Sequence, residues 1–201
     1  MIAIIKYNAG NIASVENALL RLGCQCKVTD DESEIRSSDR VIFPGVGEAS
    51  SAMNYLKDKG LDYIIKSLKQ PVLGICLGLQ LMCNYSEEGN TQGLGIFDTS
   101  VKKFPQKGIV PHMGWNNLQN TKGELFHNFV STDSVYFVHS YYAEICPNTI
   151  AECNYMFPFS AAMWNNNFYA TQFHPEKSAS AGEAILKAFI QIDITKKNKL
   201  I

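Results

Sequence analysis

The sequence predicts an α/β fold with a mostly parallel central sheet flanked by helices and an antiparallel strand extension. Two observations lead there. In the first half, short β-branched runs alternate with stretches of helical apolar spacing, the βαβ rhythm of a parallel sheet covered on both faces. From about Gly93 the rhythm changes to short strands separated by turns, which suits sequential antiparallel pairing at a sheet edge. No internal repeat, low-complexity tract or Ser/Gly linker interrupts the 201 residues, so 1–201 is expected to form a single domain.

Ile2–Ile5 is the first expected strand, an apolar run of buried-strand length. Ile12, Val15, Leu19 and Leu22 then share one helical face, and Gly23 ends it. A second strand is expected at Cys24–Thr29 and a third at Arg40–Phe43, after which Pro44-Gly45-Val46-Gly47 must be loop. A helical stretch follows from about Ser50 to Leu68 with a break near Gly60, then a fourth strand at Val72–Ile75 and a helix at Leu77–Tyr85. Later strands are expected at Ser134–His139 and Ile150–Asn154. A hairpin of Ala161–Trp164 and Phe168–Gln172 turns around Asn165-Asn166-Asn167. The last helix, from about Ala181 to Ile192, gathers Ala184, Ile185, Ala188, Phe189 and Ile192 on one face.

Composition excludes several classes of function. A formal net charge of -1 with mixed signs offers no electrostatic case for nucleic acid or a membrane surface. The basic run Lys196-Lys197-Asn198-Lys199 is expected to be a solvated tail. The opening Met1-Ile2-Ala3-Ile4-Ile5-Lys6 is too short for a signal peptide or a membrane span, which points to a cytoplasmic protein with reduced cysteines. None of the six cysteines pairs at CxxC spacing or with a suitably spaced His pair, so no metal or cofactor is expected.

The chemistry is concentrated in three segments. In Gly74-Ile75-Cys76-Leu77-Gly78 a thiol stands between two glycines where a buried strand meets a helix. That spacing reproduces a nucleophile elbow, whose small neighbours tolerate a strained backbone and close approach. A helix N-terminus there favours the thiolate. Free cysteine is also among the most buried residue types, so packing alone would explain the segment equally well.

The second segment is Thr171-Gln172-Phe173-His174-Pro175-Glu176-Lys177-Ser178. Proline biases His174 towards an extended conformation, in which residues two apart project to one side, so His174 and Glu176 can act together. A carboxylate that orients an imidazole, and an imidazole that serves as base to a cysteine, form a triad. Taken alone, the segment fits a surface turn better. Together with the glycine-flanked cysteine it favours the triad.

The third segment, Phe43-Pro44-Gly45-Val46-Gly47, follows a strand and carries glycines able to turn a peptide N–H towards a ligand. A nucleophile attacking a carbonyl needs such donors for the developing oxyanion. By itself the segment is an ordinary Pro/Gly turn.

Gly74-x-Cys76-x-Gly78-x-Gln80 followed by Phe173-His174-Pro175-Glu176 resembles the class I, triad-type glutamine amidotransferases. Further matches are Tyr7-Asn8-Ala9-Gly10-Asn11, Pro44-Gly45-Val46-Gly47, Ser86-Glu87-Glu88, His112-Met113-Gly114-Trp115-Asn116 and Tyr136-Phe137-Val138-His139-Ser140-Tyr141. Of these, the P-G-V-G and H-M-G-W-N segments are similar to the branch that feeds ammonia into histidine biosynthesis. The resemblance implies a flavodoxin-like core and a glutaminase. Cys76 attacks the side-chain amide of L-glutamine, His174 relays the proton, and Glu176 holds His174.

By the same resemblance the oxyanion donors are the N–H groups of Leu77 and, after a peptide flip, Val46. Substrate contacts fall to Gly47, Gln80, Glu88, Ser140 and Tyr141, with Glu88 matched to an ammonium group. The family's partner is a (β/α)8-barrel cyclase, joined as a heterodimer and faced by Asn11, Trp115, Tyr136 and Lys177. Taken on its sequence alone, Trp115 suits the core equally well, and Glu87 and Glu88 a solvated helix end.

Two departures fall near that face. Lys6-Tyr7-Asn8 replaces the family's usual Asp-Tyr-Gly, and Glu48-Ala49 follows Gly47 where a bulkier residue is common. They leave open a paralogue serving a sugar amidotransferase. Two further classes also stay open, a cysteine hydrolase of similar fold and a non-catalytic regulatory subunit.

Overall fold

The computed structural model describes residues 1–8, 11–130 and 132–193. The basic run 196–199 and residues 9–10 of the first family-like motif lie outside them. The first half runs β1 Ile2–Ile5, α1 Ile12–Arg21, β2 Cys26–Thr29, α2 Glu32–Ser37, β3 Arg40–Phe43, α3 Ala49–Asp58, α4 Leu61–Ser67, β4 Val72–Ile75 and α5 Leu77–Met82. The second half adds β5 Cys83–Ser86, β6 Thr91–Gln92, β7 Phe97–Lys103, β8 His112–Asn117, β9 Ser134–His139, β10 Tyr141–Ala143, β11 Thr149–Tyr155, β12 Phe157–Asn165, β13 Phe168–Thr171 and α6 Ala179–Gln191.

The central sheet has the order β11-β12-β13-β4-β3-β1-β2. Pairing from β13 to β2 is parallel, and β12 runs antiparallel to both β11 and β13. The predicted parallel core with an antiparallel extension is therefore the observed one. Its strands are buried on both faces because their apolar residues alternate between two cores. Ile2, Ile4, Ile42 and Leu73 pack on the side of α1 and α6, while Ala3, Ile5, Val41 and Val72 pack on the side of α3 and α4. Each fully buried Ile or Leu stabilises this arrangement by roughly 1.5–3 kcal/mol.

Several boundaries differ from the sequence expectation. The second strand begins at Cys26 rather than Cys24. The expected break near Gly60 is present, with Gly60 at φ 68 between the two helices, but the helical stretch runs from Ala49 to Ser67 rather than from Ser50 to Leu68. The expected helix Leu77–Tyr85 stops at Met82, because Cys83–Ser86 instead pairs parallel with β7 in a separate sheet of order β10-β7-β5-β6. Strand β9 is likewise not at the edge of the main sheet, but pairs with β8 in a two-stranded ribbon. Helix α2 was not anticipated; it buries only Ile35, and the Asp31 side chain caps it by accepting from the Glu34 amide. In α6, Leu186 is buried and Ala184 only partly so, which rotates the apolar face slightly. Among the described residues no helix is long and apolar enough to cross a membrane.

Candidate active site

Cys76 follows the last residue of β4 directly and holds φ 53, ψ -105, a conformation that costs an L-residue on the order of 1–3 kcal/mol. Two hydrogen bonds and the immediate start of a helix impose it. The Cys76 amide donates to Thr171 at 2.7 Å, the Cys76 carbonyl accepts from Gln80 at 3.2 Å, and α5 begins at once. Gly78 lets that helix lie against β3, since a Cβ there would sit 2.0 Å from the Phe43 carbonyl oxygen. The sulfur lies 3.9 Å from the Val138 carbonyl and 3.6 Å from the Gln172 side-chain amide, which donates to it.

His174 and Glu176 meet, with Nδ1 and Oε1 2.8 Å apart and both side chains buried. An extended chain, the geometry expected from the sequence, is not what brings them together. His174 is extended, but Pro175–Lys177 forms a 3-10 turn, and the turn swings Glu176 back onto the ring. Nε2 makes no hydrogen bond among the described residues, nor does Glu176 Oε2. Burial by itself pushes the His174 pKa down, but the negative charges of a Cys76 thiolate and of Glu176 outweigh it and raise the pKa to about 10. The imidazole thus sits between a thiol and a carboxylate and keeps its proton while the sulfur is negative.

A cavity of about 260 Å³ opens on Cys76. Its lining includes all seven residues expected to form the oxyanion hole and hold substrate: Val46, Leu77, Gly47, Gln80, Glu88, Ser140 and Tyr141. Glu88 is in a 3-10 turn rather than at a solvated helix end, accepts from the Ala49 amide at 2.9 Å, and has its carboxyl pKa raised by burial. Glu87 points elsewhere, accepting from the Lys103 amide. Leu77 is in place, but its N–H donates to the Gly45 carbonyl at 3.3 Å. The loop is pinned by the Tyr7 hydroxyl, which donates to the Pro44 carbonyl at 2.5 Å. Gly45 has no room for a side chain, because a Cβ would fall 2.3 Å from the Tyr7 oxygen.

The four residues expected at a partner interface gather behind the triad. Trp115 is 55% exposed, which rules out the core placement, and pairs across the β8–β9 ribbon with Tyr136. Trp115, Lys177 and Glu176 line one cleft. Asn11 has a role not anticipated, since its Nδ2 donates to Glu176 Oε1 at 2.9 Å. Sequence reasoning also passed over Gln172 and His139 within motifs that it quoted. For His139 the signal was phase: Val135, Phe137 and His139 are the buried positions of β9, and a histidine in that series asks for a partner. Among the described residues no cluster of His, Cys, Asp and Glu could hold a metal ion.

The profile described as Glutamine amidotransferase class-I matches residues 3–192. The chain belongs to the class I glutamine amidotransferase family. Within it, the chain is 58% identical over 194 residues to the imidazole glycerol phosphate synthase subunit HisH of Bacteroides fragilis, an alignment covering 95% of this chain and 99% of the relative. The subunit of the same name from Bacteroides thetaiotaomicron is 56% identical over the same coverage. In fold, a glutamine amidotransferase crystal structure superposes with a TM-score of 0.74 at 16% identity, over 95% of this chain and 98% of that one. The amidotransferase fold therefore persists where little sequence is shared.

Proposed function

We propose that the chain is the glutaminase subunit of an imidazole glycerol phosphate synthase, hydrolysing L-glutamine to glutamate and ammonia and handing the ammonia to a cyclase. What carries the reading is a single constellation: a strained, buried cysteine, the His174–Glu176 pair 2.8 Å apart, and a cavity edged by Gln80, Glu88 and Tyr141. The high identity to the two Bacteroides subunits supports the choice of synthase. A sugar-amidotransferase supplier, a cysteine hydrolase of other specificity and a non-catalytic subunit find no comparable support.

In this reading the Cys76 thiolate attacks the side-chain carbonyl carbon of glutamine, and Leu77 and Val46 N–H groups receive the oxyanion. The C–N bond breaks as His174 gives its proton to the departing nitrogen, leaving ammonia and a glutamyl thioester. Water, deprotonated by His174, adds to the thioester and releases glutamate. Glu176 keeps the imidazole oriented throughout. The substrate's ammonium meets Glu88, and Gly47, Gln80, Ser140 and Tyr141 complete the pocket. Ammonia protonated by bulk water is no nucleophile, so it passes directly to a (β/α)8-barrel cyclase docked over Asn11, Trp115, Tyr136 and Lys177 in a cytoplasmic heterodimer.

The decisive experiment replaces Cys76 with alanine and assays the complex with each nitrogen source. Glutamine-dependent synthesis should vanish while synthesis from added ammonium salt persists. Retention of glutamine-dependent synthesis would overturn the reading.

A further inference from the structure

Two buried histidines outside the triad, His112 and His139, form a hydrogen-bonded string whose polarity is dictated at one end. His139 Nδ1 lies 2.8 Å from the Tyr141 carbonyl, so it must carry the hydrogen and donate. Its Nε2 is then an acceptor, and His112 Nδ1, 3.0 Å away, must donate to it. His112 Nε2 is left to accept from the Asn116 side chain at 3.4 Å. Burial pushes the pKa of His112 to about 4 and that of His139 to about 3, so both rings are neutral at pH 7 and each has one donor and one acceptor. Aromatic rings hold the pair in place, Tyr155 stacking on His112 at 4.0 Å and Phe159 lying 5.2 Å from His139.

The string continues to the nucleophile. The Tyr141 carbonyl also accepts from Gln80 Nε2 at 2.9 Å, and the same nitrogen donates to Gln172 Oε1 at 3.1 Å. Gln172 Nε2 in turn donates to the Cys76 sulfur. Both hydrogens of the Gln80 amide are thereby used, and only its oxygen remains for a ligand.

We propose that His139, oriented by His112, is a positioning residue that fixes the Tyr141 carbonyl and so locks Gln80 with its amide oxygen, never its nitrogen, available to the substrate in the Cys76 cavity. The lock gives the pocket a preference for a donor at that point, such as the ammonium or amide N–H of glutamine, over an acceptor. This inference rests on the glutaminase reading.

The test uses the complex with the cyclase partner and two His139 variants. Asparagine places an N–H near the position of Nδ1 and retains the bond to Tyr141, whereas leucine keeps the volume and makes no bond. H139L should raise KM for glutamine about tenfold, the scale of one lost buried hydrogen bond, while H139N recovers most of that loss. A merely structural histidine would instead lower the folded fraction in both variants, reducing kcat with KM unmoved. Nitrogen NMR of the wild-type imidazoles gives a second readout that needs no variant, and both rings should be Nδ1–H tautomers. An Nε2–H tautomer at His139, or a KM for H139L within twofold of an active wild type, would overturn the inference alone. A wild-type complex that releases no glutamate would overturn the glutaminase reading on which it stands.

Discussion

The backbone amide of Leu77 donates to the carbonyl of Gly45 at 3.3 Å, so the donor that a developing oxyanion needs beside Cys76 is already engaged. Turning the Gly45–Val46 peptide would free Leu77 and present the Val46 N–H in one movement. The isolated chain is therefore expected to hydrolyse glutamine at least about 10²-fold more slowly than the complex, the cost of a missing oxyanion donor. Glutamate release measured with and without the partner checks this, and full turnover by the purified chain would contradict it.

Asn11 joins the proposed partner face to the triad through its 2.9 Å bond to Glu176. Removing it in N11A leaves the carboxylate one donor short and free to turn away from His174. At saturating partner, kcat should fall about tenfold with KM little changed. If only the affinity of the two subunits changes, Asn11 serves docking and not the triad.

Stability should peak near neutral pH. An unfolded imidazole titrates near 6.5, whereas His112 and His139 are held at about 4 and about 3. Below 6.5 the unfolded chain therefore binds protons that the folded chain refuses, and the stabilisation present above 6.5 is lost as pH falls towards 4. His174 acts in the opposite sense. Raised to about 10, it holds its proton in the folded state, and its contribution, complete below 6.5, is lost as pH climbs towards 10. Unfolding midpoints measured from pH 4 to 10 should decline on both sides, with H139L flattening the acid limb.

The Glu88 carboxyl is raised above its ordinary value of 4.5, chiefly by burial. It must be ionised to hold an ammonium group. Acidification should therefore raise KM for glutamine at a pH above that of an ordinary glutamate. E88Q should raise KM at every pH and abolish that acid rise; an unchanged profile would remove Glu88 from the substrate site.

Gly78 should tolerate no side chain, because a Cβ would meet the Phe43 carbonyl oxygen at 2.0 Å. The obstacle is backbone on a central strand and cannot move aside. G78A is expected to lose about 1–3 kcal/mol in denaturant unfolding, the usual penalty for overpacking. A variant as stable as the parent would show that β3 and α5 can separate.

The halves of the chain were unequally legible. Strands such as Ile2–Ile5 and Val72–Ile75 are apolar at every position because the sheet is covered on both faces, so their pattern survives without knowledge of their partners. Cys83–Ser86 and Phe97–Lys103 are half-polar and derive their strand character from pairing with each other, and that is why a helix was expected to run on through Cys83. Helix α2 leaves little trace in the sequence because it anchors through Ile35 alone.

By itself the sequence determined the parallel core, the identity of the candidate nucleophile and its His-Glu pair, and the residues that would meet at the cavity. The core follows from apolar alternation and the Cys76, His174 and Glu176 candidates from local spacing, neither of which needs knowledge of the partner strand, whereas the cavity residues were implied by the resemblance to the family. Only the tertiary structure decided which way each polar group faces. It turned Pro175–Lys177 into the turn that closes the His174–Glu176 bond, and drew Asn11 onto Glu176. It also placed the Gly45 carbonyl against Leu77 and ran a string of donors from His112 to Cys76. A buried polar group must find a partner or lose the full cost of its desolvation, and those partners come from segments far apart in the chain.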